Sequence, residues 1–233
     1  LADAKTFTYS GGLYGKDTTL AITSSSLANV AAEDITMTTG AGKDTVTLTA
    51  SSWVGAAGVG GSVIINTRAG DDTITVTTGA LLANTTDQSV TINAGSGADS
   101  ITLTAGSTNG AGATAFDIIT IVDGDSLVGS RDKITNFTLG GAISGDYADV
   151  LDFDTAAVGT LGTTVDFGTI MSHTITTGVA TFDDVATHAT ALIINSANLA
   201  DVLGYIEANT AANDVVAFLY DSTGSGAADA TMV

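Results

Sequence analysis

Three aspartates, Asp44, Asp72 and Asp99, each stand two residues after a glycine, Gly42, Gly70 or Gly97, and about 27 residues separate one from the next. Two of these turns carry a further glycine, Gly40 or Gly95, where the middle turn has Arg68, and Asp71 doubles the acid in that middle turn. Asp17 lies one period upstream in a looser copy. A fixed period in this range is the mark of stacked coils. Stacking would set Asp17, Asp44, Asp72 and Asp99 in a column spaced by about 4.8 Å. Carboxylates that close repel, and each tends to keep its proton unless a cation intervenes. Calcium suits such a gap, because it takes about six to eight oxygens and glycine turns let backbone carbonyls join the carboxylates.

Short alternating strands must position these turns. Before each turn run Ile35 and Met37, Val63 and Ile65, Val90 and Ile92; after it run Val46 and Leu48, Ile74 and Val76, Ile101 and Leu103. A slip of one residue would turn every side chain to the wrong face, so a pattern kept in step over three copies predicts that both sets point inward together. The intervening positions are mostly threonine, which suits a pleated strand while keeping a hydroxyl for water. A third apolar row is expected through Leu27, Val54 and Leu81, with Trp53 closing it. Each inward aliphatic contributes roughly 1.5–3 kcal/mol when fully buried, but only if neighbouring coils cover it. The fold class that follows is all-β, a parallel β-helix or β-roll solenoid. It would have coils of about 27 residues, calcium-binding turns along one edge and a small mixed α/β segment capping the C-terminal end.

Taken in order, residues 1–159 are expected to form the calcium-binding β-helix. An opening coil spans 1–33, regular coils 34–115 and looser acidic coils 116–159. The opening turn is two residues longer than the later ones, measured from Tyr9 to Leu20. Loops are predicted at 55–61 and 109–112. In the acidic stretch Asp123, Asp125, Asp132, Asp146, Asp149, Asp152 and Asp154 offer further calcium ligands, or simply a solvated rim. Residues 160–233 read as the cap: a helix starting at Thr181, a helix through Leu199, Val202, Leu203 and Ile206, a buried strand over 214–221, and a turn leading to a last strand cut off at Val233.

Gly40, Gly42 and Asp44 with Val46, and Gly95, Gly97 and Asp99 with Ile101, resemble the calcium-binding RTX repeat, Gly-Gly-x-Gly-x-Asp-x-U-x. The resemblance implies calcium held between successive turns, folding after export, and passage through a type I secretion channel. The chain departs from the family pattern in having one such turn per long coil instead of one every nine residues or so, and in Arg68. That departure points to the surface-layer and adhesin relatives of the family. The runs Asp132, Ile134, Phe137 and Asp149, Val150, Leu151, Phe153 resemble the segment that closes the repeat array in type I secreted proteins.

Acidic residues outnumber basic ones 25 to 6, for a formal charge of -19, which argues against nucleic acid and anionic membranes as partners. With 44% hydrophobic residues the chain is no disordered acidic tail. It has no cysteine, hence no disulfide, thiol nucleophile or cysteine zinc site. No apolar run of membrane-spanning length and no N-terminal signal peptide is present, and Leu1 in place of Met suggests a fragment or processed chain. His173 and His188 sit in no catalytic motif, so a non-enzymatic protein is expected. The reading is a structural, calcium-binding module of a secreted bacterial surface protein that self-associates into a surface layer. The alternatives are an adhesin for a cell-surface glycan, lipopolysaccharide or ice, the last on the outward threonines, or the non-catalytic repeat region of a secreted enzyme or toxin.

Overall fold

A computed structural model of the chain describes residues 6–11, 15–24, 27–29, 34–55, 62–81, 88–104, 115–122, 125–127, 129–137, 149–152, 157–158, 165–176, 179–210 and 214–233. Its strands are, in chain order, β1 (Thr6–Ser10), β2 (Thr19–Ser24), β3 (Leu27–Asn29), β4 (Asp34–Thr38), β5 (Thr45–Gly55) and β6 (Ser62–Asn66). Then follow β7 (Thr73–Leu81), β8 (Gln88–Asn93), β9 (Ser100–Thr104), β10 (Ala115–Thr120), β11 (Lys133–Thr135) and β12 (Val150–Asp152). Last come β13 (Ala157–Val158), β14 (Ser172–Thr176), β15 (Val179–Asp183), β16 (Asp214–Val215), β17 (Ala217–Tyr220) and β18 (Ala230–Met232). The helix α1 (Leu199–Asn209) lies between β15 and β16 and is the one helix among the described residues.

The chain is mostly β, built on two large sheets of mostly parallel strands. One runs β1-β4-β6-β8-β10-β12; the other contains β2, β5, β7, β9 and β11 in parallel. From β4 to β12 successive strands alternate between the sheets, so each glycine–aspartate turn there joins one sheet to the other. Register matches the repeat: Ile35 pairs with Val63 and Val63 with Val90, while Val46 pairs with Ile74 and Ile74 with Ile101. The alternating side chains of both sheets meet in one core, where Met37, Leu48, Ile65, Ile74, Ile92 and Ile101 are fully buried. Threonine alternates with them because a β-branched side chain fits the pleat on the solvent face.

Two sequence expectations need correction. In the backbone register Leu27 pairs with Trp53 and Trp53 with Leu81, while Val54 pairs with Ala28. The cause is spacing: β3 and β5 are offset by 26 residues and β5 and β7 by 28, so an even 27-residue count lands one position off. Trp53 and Val54 also lie within β5 and not in a loop; residues 56–61 and 109–112 are outside the described residues. The helix expected from Thr181 is the strand β15, paired antiparallel with β14 and parallel with β17. Val179, Ala180 and Phe182 are buried there, and tertiary pairing overrides the local signal.

The other C-terminal expectations correspond to α1, which buries Val202, Tyr205 and Ile206, and to β16, β17 and β18. β17 and β18 continue the second sheet, since β18 pairs antiparallel with β11 and β17 antiparallel with β18, whereas β16 pairs parallel with β13 in a sheet of two strands. A second apolar cluster forms around Phe182, Tyr205 and Phe218, with Phe182 edge-on to both other rings. Val215, Ala217 and Val233 belong instead to the first core.

Candidate metal centre

The turns between the sheets are stacked backbone on backbone. A Cβ at Gly42 would come within 2.5 Å of the Lys16 carbonyl carbon, and one at Gly70 or Gly97 would strike the carbonyl of the glycine beneath, Gly42 or Gly70. Only glycine allows that approach. Gly95 takes φ +80°, and its counterpart Arg68 is forced into the same left-handed region at φ 70°. Gly40 and Gly42 are buried.

On this stack the aspartates form a ladder. Each leans back toward the preceding repeat, where one carboxylate oxygen accepts a backbone N–H: Thr18 N to Asp44 Oδ1 at 2.6 Å, Asp44 N to Asp72 Oδ1 at 2.7 Å, Asp72 N to Asp99 Oδ1 at 2.8 Å and Asp99 N to Asp132 Oδ1 at 3.0 Å. All four side chains are buried, from 0% to 2% exposed, and in all four Oδ2 is buried with no hydrogen-bond partner. An unpaired buried oxygen is costly, so this is the feature of the site that asks for a ligand.

Asp17 is not in the ladder. The register of β2 on β5 sets Thr19 beside Thr45, hence Thr18 under Asp44 and Asp17 under Lys43. Lys43 N accordingly donates to Asp17 Oδ1 at 3.0 Å. The longer opening turn explains the difference: Gly11 stacks on Thr39, 28 residues on, whereas Gly15 stacks on Ala41, 26 residues on, so the extra residues fall before Asp17. Asp71 occupies the same outer column one position before the ladder, and Ala98 N donates to its Oδ1 at 3.1 Å.

Burial, more than anything else, pushes Asp72 up to about 6, Asp99 to about 7 and Asp132 to about 8. The backbone N–H on each works the other way, as does the Thr67 hydroxyl at Asp72, and the neighbouring carboxylates, Asp44 and Asp71 on Asp72, Asp72, Asp71 and Asp125 on Asp99, Asp99 and Asp125 on Asp132, push further up. Asp125, raised by burial, accepts from Val122 N through Oδ2 at 2.8 Å. Asp132 joins the ladder although 33 residues separate it from Asp99, because β11 stays in register with β9.

Asp152 ends β12 in the other sheet, exposed, opposite Thr120, and Asp149 just precedes that strand, so neither reaches the ladder. Asp123, Asp146 and Asp154 lie outside the described residues. The sequence reading missed Thr18, Thr39 and Thr67. Thr39 and Thr67, fully buried, donate their hydroxyls to the carbonyls of Thr67 and Ala94 in the next repeat; their 28-residue spacing, five positions before Asp44 and Asp72, was the available signal. Among the described residues no three histidine, cysteine or acidic side chains converge on one point. An ion here would therefore draw its remaining oxygens from carbonyls and water.

Elsewhere, buried aspartates are saturated. Asp183 accepts from Asp184, Ala189 and Thr190 N–H groups, and these bonds, Thr190 first, hold it down to about 2. His173 is bonded to the Tyr205 hydroxyl and His188 to Thr181. No described helix is long and apolar enough to cross a membrane. No family model, curated protein or solved structure matches this chain.

Proposed function

We propose that this chain is a calcium-stabilised β-helical module of a secreted bacterial surface protein, with an assembly role in a surface layer. The observation that carries the reading is the row of buried, partnerless Oδ2 atoms on Asp44, Asp72, Asp99 and Asp132. The donor set is all oxygen, carboxylates beside closely stacked turn backbone, which fits a hard divalent cation. Bound calcium would supply the positive charge that the ladder lacks. Its aspartates hold the stacked turns by their N–H bonds, and Gly42, Gly70 and Gly97 let consecutive turns approach closely enough to share an ion. Folding would then follow calcium supply, absent before export and plentiful outside. The formal charge of -19 on a free chain favours dispersal, and its neutralisation favours association into a lattice.

Thermal melts followed by circular dichroism, in millimolar calcium and then in chelator, test this. A ligand at about a hundred times its dissociation constant stabilises by roughly 2.7 kcal/mol per site, and 1 kcal/mol moves the midpoint of a chain this size by about 2–4 °C. Several sites should therefore shift it by about 15 °C or more. An unchanged midpoint would remove calcium from the account. Ordered two-dimensional arrays on adding calcium would support lattice assembly over dispersed binding.

A second reading rests on the threonines of β5, β7 and β9. Thr45, Thr73 and Ser100, then Thr47, Thr75 and Thr102, then Thr49, Thr77 and Thr104 pair in three aligned rows. Such a regular hydroxyl grid favours an adhesin that binds ice or a glycan, and the dispersed protein would then reshape ice crystals or retain a sugar ligand.

A further inference from the structure

In two of the four gaps between successive repeats, acidic side chains enter from both sides. The ladder aspartate of the later repeat leans back, as the bonds to Asp44, Asp72, Asp99 and Asp132 show. The outer-column residue of the earlier repeat leans forward where it is acidic, as Asp17 does onto Lys43 N and Asp71 onto Ala98 N. The first gap thus holds Asp17 and Asp44, and the third holds Asp71 and Asp99. The fourth has Asp132 with Ala98 in the outer column, but the loop after β10 brings Asp125 there, its carbonyl accepting from Gly97 N at 3.3 Å. The second gap differs: Asp72 is the ladder residue and Lys43 stands in the outer column.

Building on the calcium reading above, we propose that the ladder has three divalent-cation sites and one gap, the second, that lacks the paired carboxylate to hold an ion. The first, third and fourth gaps each take an ion between two carboxylates, whereas the outer-column residue of the second is the exposed Lys43. A carboxylate pair favours a divalent ion, whereas a lysine in place of one partner removes a ligand and repels the incoming charge. Asp44, Asp99 and Asp132 each bring an orphaned Oδ2 to these three gaps; the Oδ2 of Asp72 in the second is equally partnerless, so the gaps differ in the outer-column residue alone. Asp71 Oδ1 accepts from Ala98 N and the Asp125 carbonyl from Gly97 N, which sets these two outer residues at the third and fourth gaps. The outer-column residue therefore decides which gaps bind.

Calorimetric titration of the full chain with calcium, against Lys43→Asp and Asp71→Lys, tests the assignment. Lys43 and Asp71 are exposed, so their substitution leaves the packed ladder intact, and circular dichroism in chelator checks that each variant keeps the parent spectrum. Lys43→Asp should gain one bound ion per chain and Asp71→Lys should lose one; ions held elsewhere cancel in these differences. Calcium binding with the count unchanged in both variants would overturn the outer-column assignment and leave the calcium reading standing. Absence of binding in all three proteins would overturn both.

Discussion

Asp99 in the repeat array and Asp221 in the C-terminal strands are equally buried, each 2% exposed, yet they are opposite electrostatic objects. Asp99 receives one backbone N–H on Oδ1 and nothing on Oδ2. Asp221 receives the N–H groups of Gly224 and Ser225 and the Thr223 hydroxyl on Oδ1, and Gly226 N–H on Oδ2. Burial is the largest influence on both and raises both; at Asp221 the combined hydrogen bonds outweigh it and the carboxyl falls below its usual value. The number of donors, and not depth, decides whether a buried carboxylate is self-sufficient or waits for a cation.

The strongest way to break this comparison is pH without metal. Asp72, Asp99 and Asp132 have folded values of about 6, 7 and 8 against 3.8 unfolded, so between those limits the native state binds more protons than the unfolded one. Stability in chelator should be fullest below about pH 4 and fall as pH rises through 6 to 8. Asp183 has the reverse sign: held at about 2, it stabilises above 3.8 and loses that contribution as pH falls through 2. Melts across this range should show a maximum near pH 4–5 in chelator and a flat alkaline limb in calcium. A metal-free midpoint that climbs from pH 5 to pH 8 would remove the contrast.

A smaller effect is expected from Asp221→Ala. It leaves the N–H groups of Gly224, Ser225 and Gly226 to water, and since residues 222–228 are exposed, water can reach them. The midpoint should drop modestly and by the same amount in calcium and in chelator. A drop confined to calcium would mean that this loop holds a cation too, and the two kinds of aspartate would become one.

Much of this arrangement was legible in the residues. Ile35 and Met37, Val63 and Ile65, and Val90 and Ile92 recur at steps of 28 and 27 residues, and a buried face fixes register so firmly that pairing follows from pattern alone. What escaped lies where spacing varies. The extra residues of the opening turn shifted Asp17 out of the ladder, and offsets of 26 and 28 replaced Val54 by Trp53, because a mean period hides compensating insertions. The helix expected from Thr181 also failed: Thr181 pairs within a strand, and Asp183 at its end collects the N–H groups of a loop. The partnerless Oδ2 atoms could not be read at all, since burial and donor geometry exist only after folding.

The smallest expected effect concerns the one turn that breaks the glycine pattern. Arg68 sits at φ 70° between the repeats of Gly40 and Gly95, and its Nη1 is buried without a hydrogen-bond partner. For an L-residue the left-handed region costs about 1–2 kcal/mol, whereas glycine there gives back roughly 0.4–1 kcal/mol through the entropy of the unfolded chain. Arg68→Gly should therefore gain about 0.5 kcal/mol, a rise of some 1–2 °C at constant calcium. Asn136, also left-handed at φ 62°, serves as the control: asparagine tolerates that conformation and its amide donates to Leu103 O at 2.8 Å, so Asn136→Gly should lose stability. If Arg68→Gly also loses stability, the guanidinium contributes to the acidic edge more than its backbone costs, and the middle turn owes part of its charge balance to Arg68.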